Sequence, residues 1–464
     1  MIDRRVFFVV MMMVLTGCSK GAELVLPEAP IPKAWPGGEV LTDAQAPVHP
    51  VPWRQFCADP MLREVVEAAL ESNRDLRIAV ARMEKAAAEL GVAAANRLPS
   101  LQGGVSHHVT RTPADLSTSG KSALARREEV GFFLPAFELD FWGRLARLEE
   151  GARSAWLASA ETTLAARIVL IAQVMEGFVV WREMAARLAL AEATLDIRQE
   201  ARNFAEQRLG AGVVAAQTEL RSAMALEEVR AEVAEWRRQE SLAYNALRLL
   251  TGKDWDARRE WPPLEGLDLT LKLELALPAQ VLEARPDVRA AEHRLRAAHA
   301  NVAAARAAFW PRIFLTTAVG TASQALSGLF ANGSAAWSFV PRLDVPIFEL
   351  AARKSQLASV EAERGALLAE YEKVVQQAFR EVADGLTSRE ALWDRMRALL
   401  VNRDAQRKRL ALIKERYQAG LEGREAFLSA RQELYATQQL VYGAQRQLLV
   451  NQIALFKALG GGVE

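Results

Sequence analysis

Two long stretches without proline constrain the fold of this chain more than any other feature. All eighteen prolines of the 464 residues lie outside 136–261 and 347–464. Because proline interrupts the interior of a helix, each of these stretches can form uninterrupted helix. Both are rich in alanine and charged residues, and their apolar residues recur at alternating spacings of four and three. The pattern predicts a mainly α-helical chain with long, coiled-coil-like helices.

Each stretch contains one short break. The first break reads Arg208-Leu209-Gly210-Ala211-Gly212, and the second reads Arg416-Tyr417-Gln418-Ala419-Gly420. Glycine at the end of a helical pattern is a typical C-terminal signal. The long helix before each break would span about 100 Å at 1.5 Å per residue, so we expect an elongated molecule. The predicted helices cover about 144–208, 214–251, 350–416 and 422–459.

The sequence contains a tandem duplication. The two breaks lie 208 residues apart, and residues 75–99 align without gaps on residues 287–311. Nine of these 25 aligned positions are identical. Alanine matches are common between helices, but the shared aspartate, arginine and proline residues are not. The matches therefore indicate two structural repeats.

Segments with the alternation of β-strands precede each long helix. Strands are predicted at about 100–112 and 128–141 in the first repeat, and at about 312–323 and 335–347 in the second. Each strand is long enough to cross a bilayer at a tilt. Four strands cannot close a membrane barrel, and open sheet edges are not tolerated in lipid. We therefore expect several copies to pool their strands, and three copies would supply twelve.

The first residues have the pattern of an export signal. Arg4 and Arg5 precede a ten-residue apolar run, which is too short to span a bilayer and suits a signal-peptide core. The run ends in Leu15-Thr16-Gly17-Cys18, which resembles the lipobox of bacterial lipoproteins, where the cysteine is lipidated. The alternative is an ordinary secretory signal that ends beside a cysteine. Eight prolines between residues 27 and 60 predict an extended tether. The predicted segments are a signal peptide (1–17), a lipidated tether (18–60), a first repeat (61–270) and a second repeat (271–464).

Composition excludes several classes of function. Lys+Arg is 58 and Asp+Glu is 57, so the basic excess typical of nucleic-acid binding is absent from the sequence. Two cysteines, Cys18 and Cys57, are too few for a disulfide scaffold or a cysteine zinc site. The adjacent pair His107 and His108 would point to opposite faces of a strand. We expect no catalytic, cofactor or metal site, and hence no enzyme.

Several motifs occur in a characteristic order. They are the lipobox at Cys18, the run Leu139–Arg144 before the first long helix, the run Arg285–Glu292, the two helix breaks and the C-terminal run Leu455–Gly461. Together they resemble the TolC-like outer-membrane factor family, in its lipoprotein branch that serves resistance–nodulation–division efflux pumps. The resemblance covers essentially all of residues 18–464.

The resemblance implies a fold and a set of partners. Members of this family are trimers with one twelve-stranded barrel in the outer membrane, and their helices continue as a tunnel across the periplasm that an iris of helix tips closes. The function is passive conduction of small toxic compounds out of a Gram-negative cell. The implied partners are two further copies of the chain, a periplasmic adaptor (a membrane fusion protein), an inner-membrane resistance–nodulation–division pump and outer-membrane lipid.

The family carries adaptor docking on the helix breaks. Glycines let a partner backbone approach closely, and an arginine can donate to exposed carbonyls. The alternative is that each break is only a helix cap and a turn. The docking residues that the resemblance implies are Arg208, Leu209, Ala211, Gly212, Arg416, Tyr417, Ala419 and Gly420.

The gate departs from the family pattern. Relatives commonly read Leu-Asp-Ala-Gln-Arg after the second break, where this chain has Leu428-Ser429-Ala430-Arg431-Gln432. Ser429 replaces the acid that helps to latch the closed iris, so a charged latch cannot be transferred. Glu425 or Asp404 could supply a carboxylate to Arg416 or Arg431. The candidate gate residues are Asp404, Glu425, Ser429 and Arg431.

Two other functions compete with efflux. The same fold could serve as the exit duct of a type I protein-secretion system, against which the lipobox and the C-terminal Lys457–Gly461 run weigh. A periplasmic coiled-coil scaffold without a pore is the second alternative. Such a scaffold would have no use for four strands of bilayer length.

Overall fold

A computed structural model describes residues 24–27, 30–32, 34–35, 51–256, 259–269 and 278–462. The predicted signal peptide and Cys18 lie outside the described residues. Within these described residues the chain is mainly helical and has four strands, as predicted. The helices are α1 (Trp53–Phe56), α2 (Pro60–Ser72), α3 (Arg74–Ala95), α4 (Arg144–Gly210), α5 (Ala216–Thr251), α6 (Pro278–Glu283), α7 (Pro286–Ala307), α8 (Leu350–Gln418) and α9 (Arg424–Ala458). The strands are β1 (Gln102–Thr112), β2 (Ala123–Leu139), β3 (Arg312–Ser323) and β4 (Ala335–Asp344).

Some element bounds differ from the sequence-based expectation. Strand β2 begins at Ala123 instead of 128, because this segment continues the hairpin register in which Thr112 faces Ala123. Strand β4 ends at Asp344, two residues before Pro346, which cannot donate to a ladder. The long helices extend two residues further than expected, since the glycines that end them are Gly212 and Gly420, both with positive φ.

The chain divides into two compact units. The first unit contains Arg82–Ser159 and Ala290–Tyr371, and its centre is an antiparallel sheet with strand order β1-β2-β3-β4. A bulge between Leu134 and Phe137 places Pro135 outside the ladder, and Pro341 lies on the edge strand β4. Both positions suit proline because neither needs a ladder donor.

The two faces of the sheet differ in character. One face exposes large apolar side chains, among them Phe132, Val319 and Trp337, of which Trp337 is 79% exposed. On the other face the backbones of β2 and β3 approach each other closely where Gly131 pairs with Gly320. A Cβ added to Gly131 would lie 2.5 Å from the Val319 carbonyl oxygen, and one added to Gly320 would collide with the backbone of β2. We call the face with the exposed apolar side chains the outer face. On the opposite face glycine allows the backbones of β2 and β3 to lie close together.

The second unit has a continuous hydrophobic core. Its centre is the apolar part of α4, where Ile171, Met175 and Phe178 are fully buried. Phe56 of α1 stacks on Phe456 of α9 with ring centroids 4.7 Å apart. An 18-residue window of α4 has a mean hydropathy of 1.7, which would suit a membrane span by composition. Burial among α2, α5 and α9 identifies this segment as a core helix.

Part of the predicted tether packs on the second unit. Trp35 is 4% exposed, and its ring stacks on Phe379 of α8 at 5.1 Å. Val281 and Val382 complete this small cluster. The predicted tether therefore contacts the second unit through Trp35 before α1 begins, which its proline content does not predict.

Arg285 connects the end of α9 to the start of α7. Its guanidinium donates to the carbonyl oxygen of Ala458 at 2.8 Å and pairs with Asp287 at 2.6 Å and Glu381 at 3.0 Å. Burial alone would raise the pKa of Asp287, but the hydrogen bonds and charge of Arg285 lower it. The Arg-Pro-Asp motif is therefore a buried ionic cap for the C-terminal helix.

We expect Cys57 to resist alkylation in the native protein. The side chain is fully buried, and burial raises the pKa of the thiol to about 12, so the reactive thiolate is scarce at pH 8. Iodoacetamide labelling followed by mass spectrometry should show no modification at pH 8 and complete modification in denaturant. Rapid labelling of the folded protein would contradict the buried position of Cys57.

Candidate functional site

The two helix breaks have the same backbone structure. Gly212 and Gly420 adopt φ of 71° and 70°. In each break the amide after this glycine donates to the carbonyl oxygen five residues earlier, at 2.9 and 2.8 Å respectively. This bond pattern is a Schellman cap, which satisfies the last carbonyls of a helix. The two helix breaks, which we call the tips, therefore show the sequence duplication again in their hydrogen bonding.

Both tips present an accessible surface. A Cβ built on Gly212 or Gly420 would meet nothing within 4 Å. The next residue in each tip is apolar and exposed, Val213 to 58% and Leu421 to 71%. The sequence-based prediction missed this pair, although the same 208-residue offset relates them. Of the other predicted docking residues, Ala211 and Ala419 are exposed and Leu209 is half-buried.

Aromatic rings organise the side chains of the tips. The guanidinium of Arg208 lies 5.6 Å from the ring centroid of Phe204, and that of Arg424 lies 4.2 Å from the same centroid. Phe204 therefore links the end of α4 to the start of α9 through two cation–π contacts. In the second tip Tyr417 stacks on Phe427 at 5.5 Å.

The ion pairs at the candidate gate differ from those predicted. Arg416 pairs with Glu422 at 3.1 Å, within its own tip. Asp404 lies 3.2 Å from its neighbour Arg403, and Glu425 is exposed. Among the described residues, neither carboxylate reaches Arg416 or Arg431. The local turn places Glu422 close to Arg416, which separation along the sequence alone did not reveal.

An acid does lie near Ser429. The Ser429 hydroxyl donates to Glu433 at 3.4 Å, one helical turn further along α9. Glu433 also pairs with Arg409 of α8, whose hydrogen bond and charge lower the pKa of this carboxyl. The spacing of four between Ser429 and Glu433 was the available signal. The Glu433 carboxylate therefore joins α8 and α9, which form the second helical hairpin; α4 and α5 form the first.

Arg431 faces the first hairpin. It is half-buried, and its guanidinium lies 5.4 Å from the ring centroid of Phe427. Burial lowers the pKa of this guanidinium, nearby Glu200 raises it and nearby Arg198 lowers it further. Arg198 itself donates to Gln432 at 2.8 Å. The side chains around Arg431 thus bring α4 and α9 together.

A cavity of about 560 Å³ lies between the two hairpins. Leu190, Val229 and Leu428 contribute apolar lining from α4, α5 and α9. In the wall of this cavity the Tyr435 hydroxyl donates to Glu232 at 2.5 Å. Burial, together with Glu232, raises the pKa of Tyr435 to about 12. The tyrosine therefore remains a neutral donor at any physiological pH.

One buried contact between the hairpins is ionic. Glu183 of α4, whose side chain is 2% exposed, pairs with Arg187 at 2.7 Å and with Arg446 of α9 at 2.8 Å. Arg187 also donates to Gln439 at 2.6 Å. The contacting residues of α9 recur at spacings of three, four and seven, as one helix face requires. We call this face the polar seam, and it consists of Gln432, Tyr435, Gln439 and Arg446.

The chain matches a known family over most of its length. The family profile described as outer membrane efflux protein matches residues 65–253 and 277–461. The outer membrane protein OprJ of Pseudomonas aeruginosa is 37% identical over 97% of this chain and 94% of OprJ. The toluene efflux pump outer membrane protein TtgF of Pseudomonas putida is 38% identical over 97% of this chain and 95% of TtgF.

Solved structures agree with this match. The open state of the Neisseria gonorrhoeae outer membrane channel MtrE superposes with a TM-score of 0.85 at 30% identity, over 96% of this chain and 99% of MtrE. The predicted fold class, outer-membrane location and role in efflux are confirmed. The family profile matches both repeats, and the alignment with OprJ covers almost all of both chains. The chain therefore belongs to the outer membrane efflux protein family.

Proposed function

We propose that the chain is one protomer of a homotrimer whose sheets join into a single twelve-stranded barrel. The supporting observation is the four-stranded sheet, in which β1 and β4 each have an edge that no other described strand pairs with. A lipid-exposed sheet cannot keep such edges, and the outer face is apolar enough for lipid. Three copies satisfy every edge by pairing β4 of one protomer with β1 of the next.

The trimer acts as a passive exit duct, not as an enzyme, and needs no cofactor. Its helical hairpins continue the barrel as a tunnel, while an inner-membrane pump of the resistance–nodulation–division type supplies the energy. The cargo is small toxic compounds, a proposal that the similarity to TtgF, the outer membrane protein of a toluene efflux pump, supports. Cys18 carries the lipid that anchors the N-terminus in the outer membrane.

A periplasmic adaptor docks at the two tips. Both tips combine open space around a glycine with an exposed apolar residue, Val213 or Leu421. The open space lets a partner backbone approach the glycine closely, and the apolar side chain beside it gives the partner a surface to bury. The docking residues are Arg208, Leu209, Ala211, Gly212, Arg416, Tyr417, Ala419 and Gly420.

The polar seam holds the hairpins together and so sets the resting width of the tunnel, together with the gate residues Asp404, Glu425, Ser429 and Arg431. Tyr435 and Gln432 each make one hydrogen bond to the first hairpin. A net contribution of about 1 kcal/mol is typical for one such bond. Loosening both should let the tips separate more often.

We expect the double variant Tyr435→Phe/Arg198→Gln to conduct more than the wild type in planar bilayers. The resting conductance of purified trimers should rise several-fold, because the hydrogen bonds from Tyr435 to Glu232 and from Arg198 to Gln432 are lost. Tyr417→Phe is the matched control, since it keeps the ring stack on Phe427 and removes no part of the polar seam. Equal conductance of all three proteins would contradict the role of the seam. A chain that never conducts and is extracted as a monomer would overturn the exit-duct proposal.

A further inference from the structure

Side chains near the β1–β2 turn separate by face. The imidazole Nδ1 of His107 lies 2.5 Å from Glu128 Oε1 on one face. On the other face Ser106 donates to Glu129 at 3.4 Å. Because side chains alternate along a strand, Arg111 and Arg126 lie on the same face as His107. This is also the face that exposes Phe132, Val319 and Trp337.

The apolar band of this face lies between two levels of tryptophan. Trp337 faces Val319 in the β3–β4 register. At the helix end of β3, Trp310 stacks on Trp142 at 4.9 Å. From Val319 to Arg312, where β3 begins, the strand advances about 23 Å, which a tilt of about 40° reduces to about 18 Å along the membrane normal, and Trp310 lies two residues beyond this end of the strand. Outer-membrane barrels have apolar bands of about 25 Å between aromatic girdles. The Trp337 row therefore marks the outer boundary.

The basic residues lie beyond that boundary, at the level of lipid headgroups. Phe132 is in the same row as Val319 and Trp337. Arg126 follows six residues closer to the turn, about 20 Å along the strand and about 15 Å along the membrane normal. Arg111 faces Leu124, one row further out. The headgroup of an outer-leaflet lipid would contact this surface from the side.

The charge of this surface is positive. His107, Arg111 and Arg126 are exposed, and Lys121 is exposed in the adjoining turn. Two carboxylates accompany these cations: Glu128 on the face itself, whose side chain is 9% exposed and is engaged by His107, and Asp115, which is exposed in the same turn as Lys121. Arg111 donates to Ser122 at 3.4 Å, which holds it beside the turn. Guanidinium groups bind phosphate oxygens in pairs of hydrogen bonds.

We propose that His107, Arg111 and Arg126 bind the phosphate groups of an anionic glycolipid in the outer leaflet, an inference that rests on the barrel proposed above. Val109 and Leu124 lie between the three basic side chains and offer apolar contact to the lipid. A phosphorylated sugar headgroup with several acyl chains fits this combination of charge above and apolar surface below. The lipid would brace the barrel beside β1, the edge strand at which two protomers meet.

The test measures binding of diphosphoryl lipid A to delipidated, full-length trimers in detergent by native mass spectrometry. The double variant Arg111→Gln/Arg126→Gln should bind about tenfold more weakly than the wild type, and His107→Gln should bind several-fold more weakly. Arg127→Gln is the matched control, because Arg127 is adjacent in sequence and lies on the opposite face with Glu129. This control should bind like the wild type.

Two results would overturn the proposal. One is equal binding by the double variant and the wild type, or equal loss in Arg127→Gln. The other result is that the wild type binds diphosphoryl lipid A and its dephosphorylated form equally well. Trimer content and bilayer conductance are recorded for each protein, so a failure of the barrel itself is recognised separately from a failure to bind lipid.

Discussion

Gly131→Val should prevent assembly of the barrel. A Cβ at position 131 would lie 2.5 Å from the Val319 carbonyl oxygen and 2.9 Å from the Gly320 Cα, which are both backbone atoms of the neighbouring strand. Because backbone atoms cannot rotate away, β2 and β3 would have to separate, at a cost of about 3 kcal/mol or more. Size-exclusion chromatography of detergent extracts should show no trimer.

Gly103→Val is the matched control for this prediction. Valine is favoured in strands, so intrinsic preference alone would make both substitutions mildly favourable. A Cβ at Gly103 would meet only the Phe132 ring, at 3.7 Å, which is ordinary contact. The control should therefore assemble normally. If Gly131→Val formed as much trimer as Gly103→Val, the close approach of β2 and β3 would be refuted.

Glu183→Ala should destabilise the second unit by about 3–5 kcal/mol. The carboxylate is almost completely buried between Arg187 and Arg446, so its removal leaves both guanidinium groups without their carboxylate partner at the contact between α4 and α9. Urea unfolding followed by circular dichroism should show a lower midpoint. Glu183→Gln should fall between the alanine variant and the wild type, since the amide oxygen can still accept a hydrogen bond.

Asp384→Ala provides the comparison for a solvent-exposed pair. Asp384 lies 3.3 Å from Arg380, with side chains 69% and 80% exposed. Solvent screens such a pair, and its loss should change the unfolding free energy by no more than about 0.5 kcal/mol. Equal effects of Glu183→Ala and Asp384→Ala would show that the buried contact does not hold the hairpins together.

Local patterns predicted much of the fold. The absence of proline from 136–261 and 347–464 predicted the long helices, and the glycines of the two breaks predicted where they end. Strand positions followed from alternation, although the start of β2 was placed too late. These features depend on neighbours within a few residues, which sequence pattern reports directly. The exposed tip glycines were predicted for the same reason.

The side-chain pairings at the tips and between the hairpins could not be predicted from the sequence. The candidate gate was expected to use Asp404 or Glu425, whereas Arg416 pairs with Glu422 and the hairpins meet through the polar seam. Many charged residues on these helices have the same local spacing, so no pattern distinguishes a solvated pair from a buried one.

The sequence by itself determined the helical framework, the duplication and the four strands. Only the tertiary structure decided which polar side chains of α9 would meet α4 and α5, and which face of the sheet would carry its exposed apolar residues. The physical reason is that burial and contact depend on how helices and strands pack across hundreds of residues. Glu183 is ordinary in the sequence, and packing against α9 makes it a buried ionic contact.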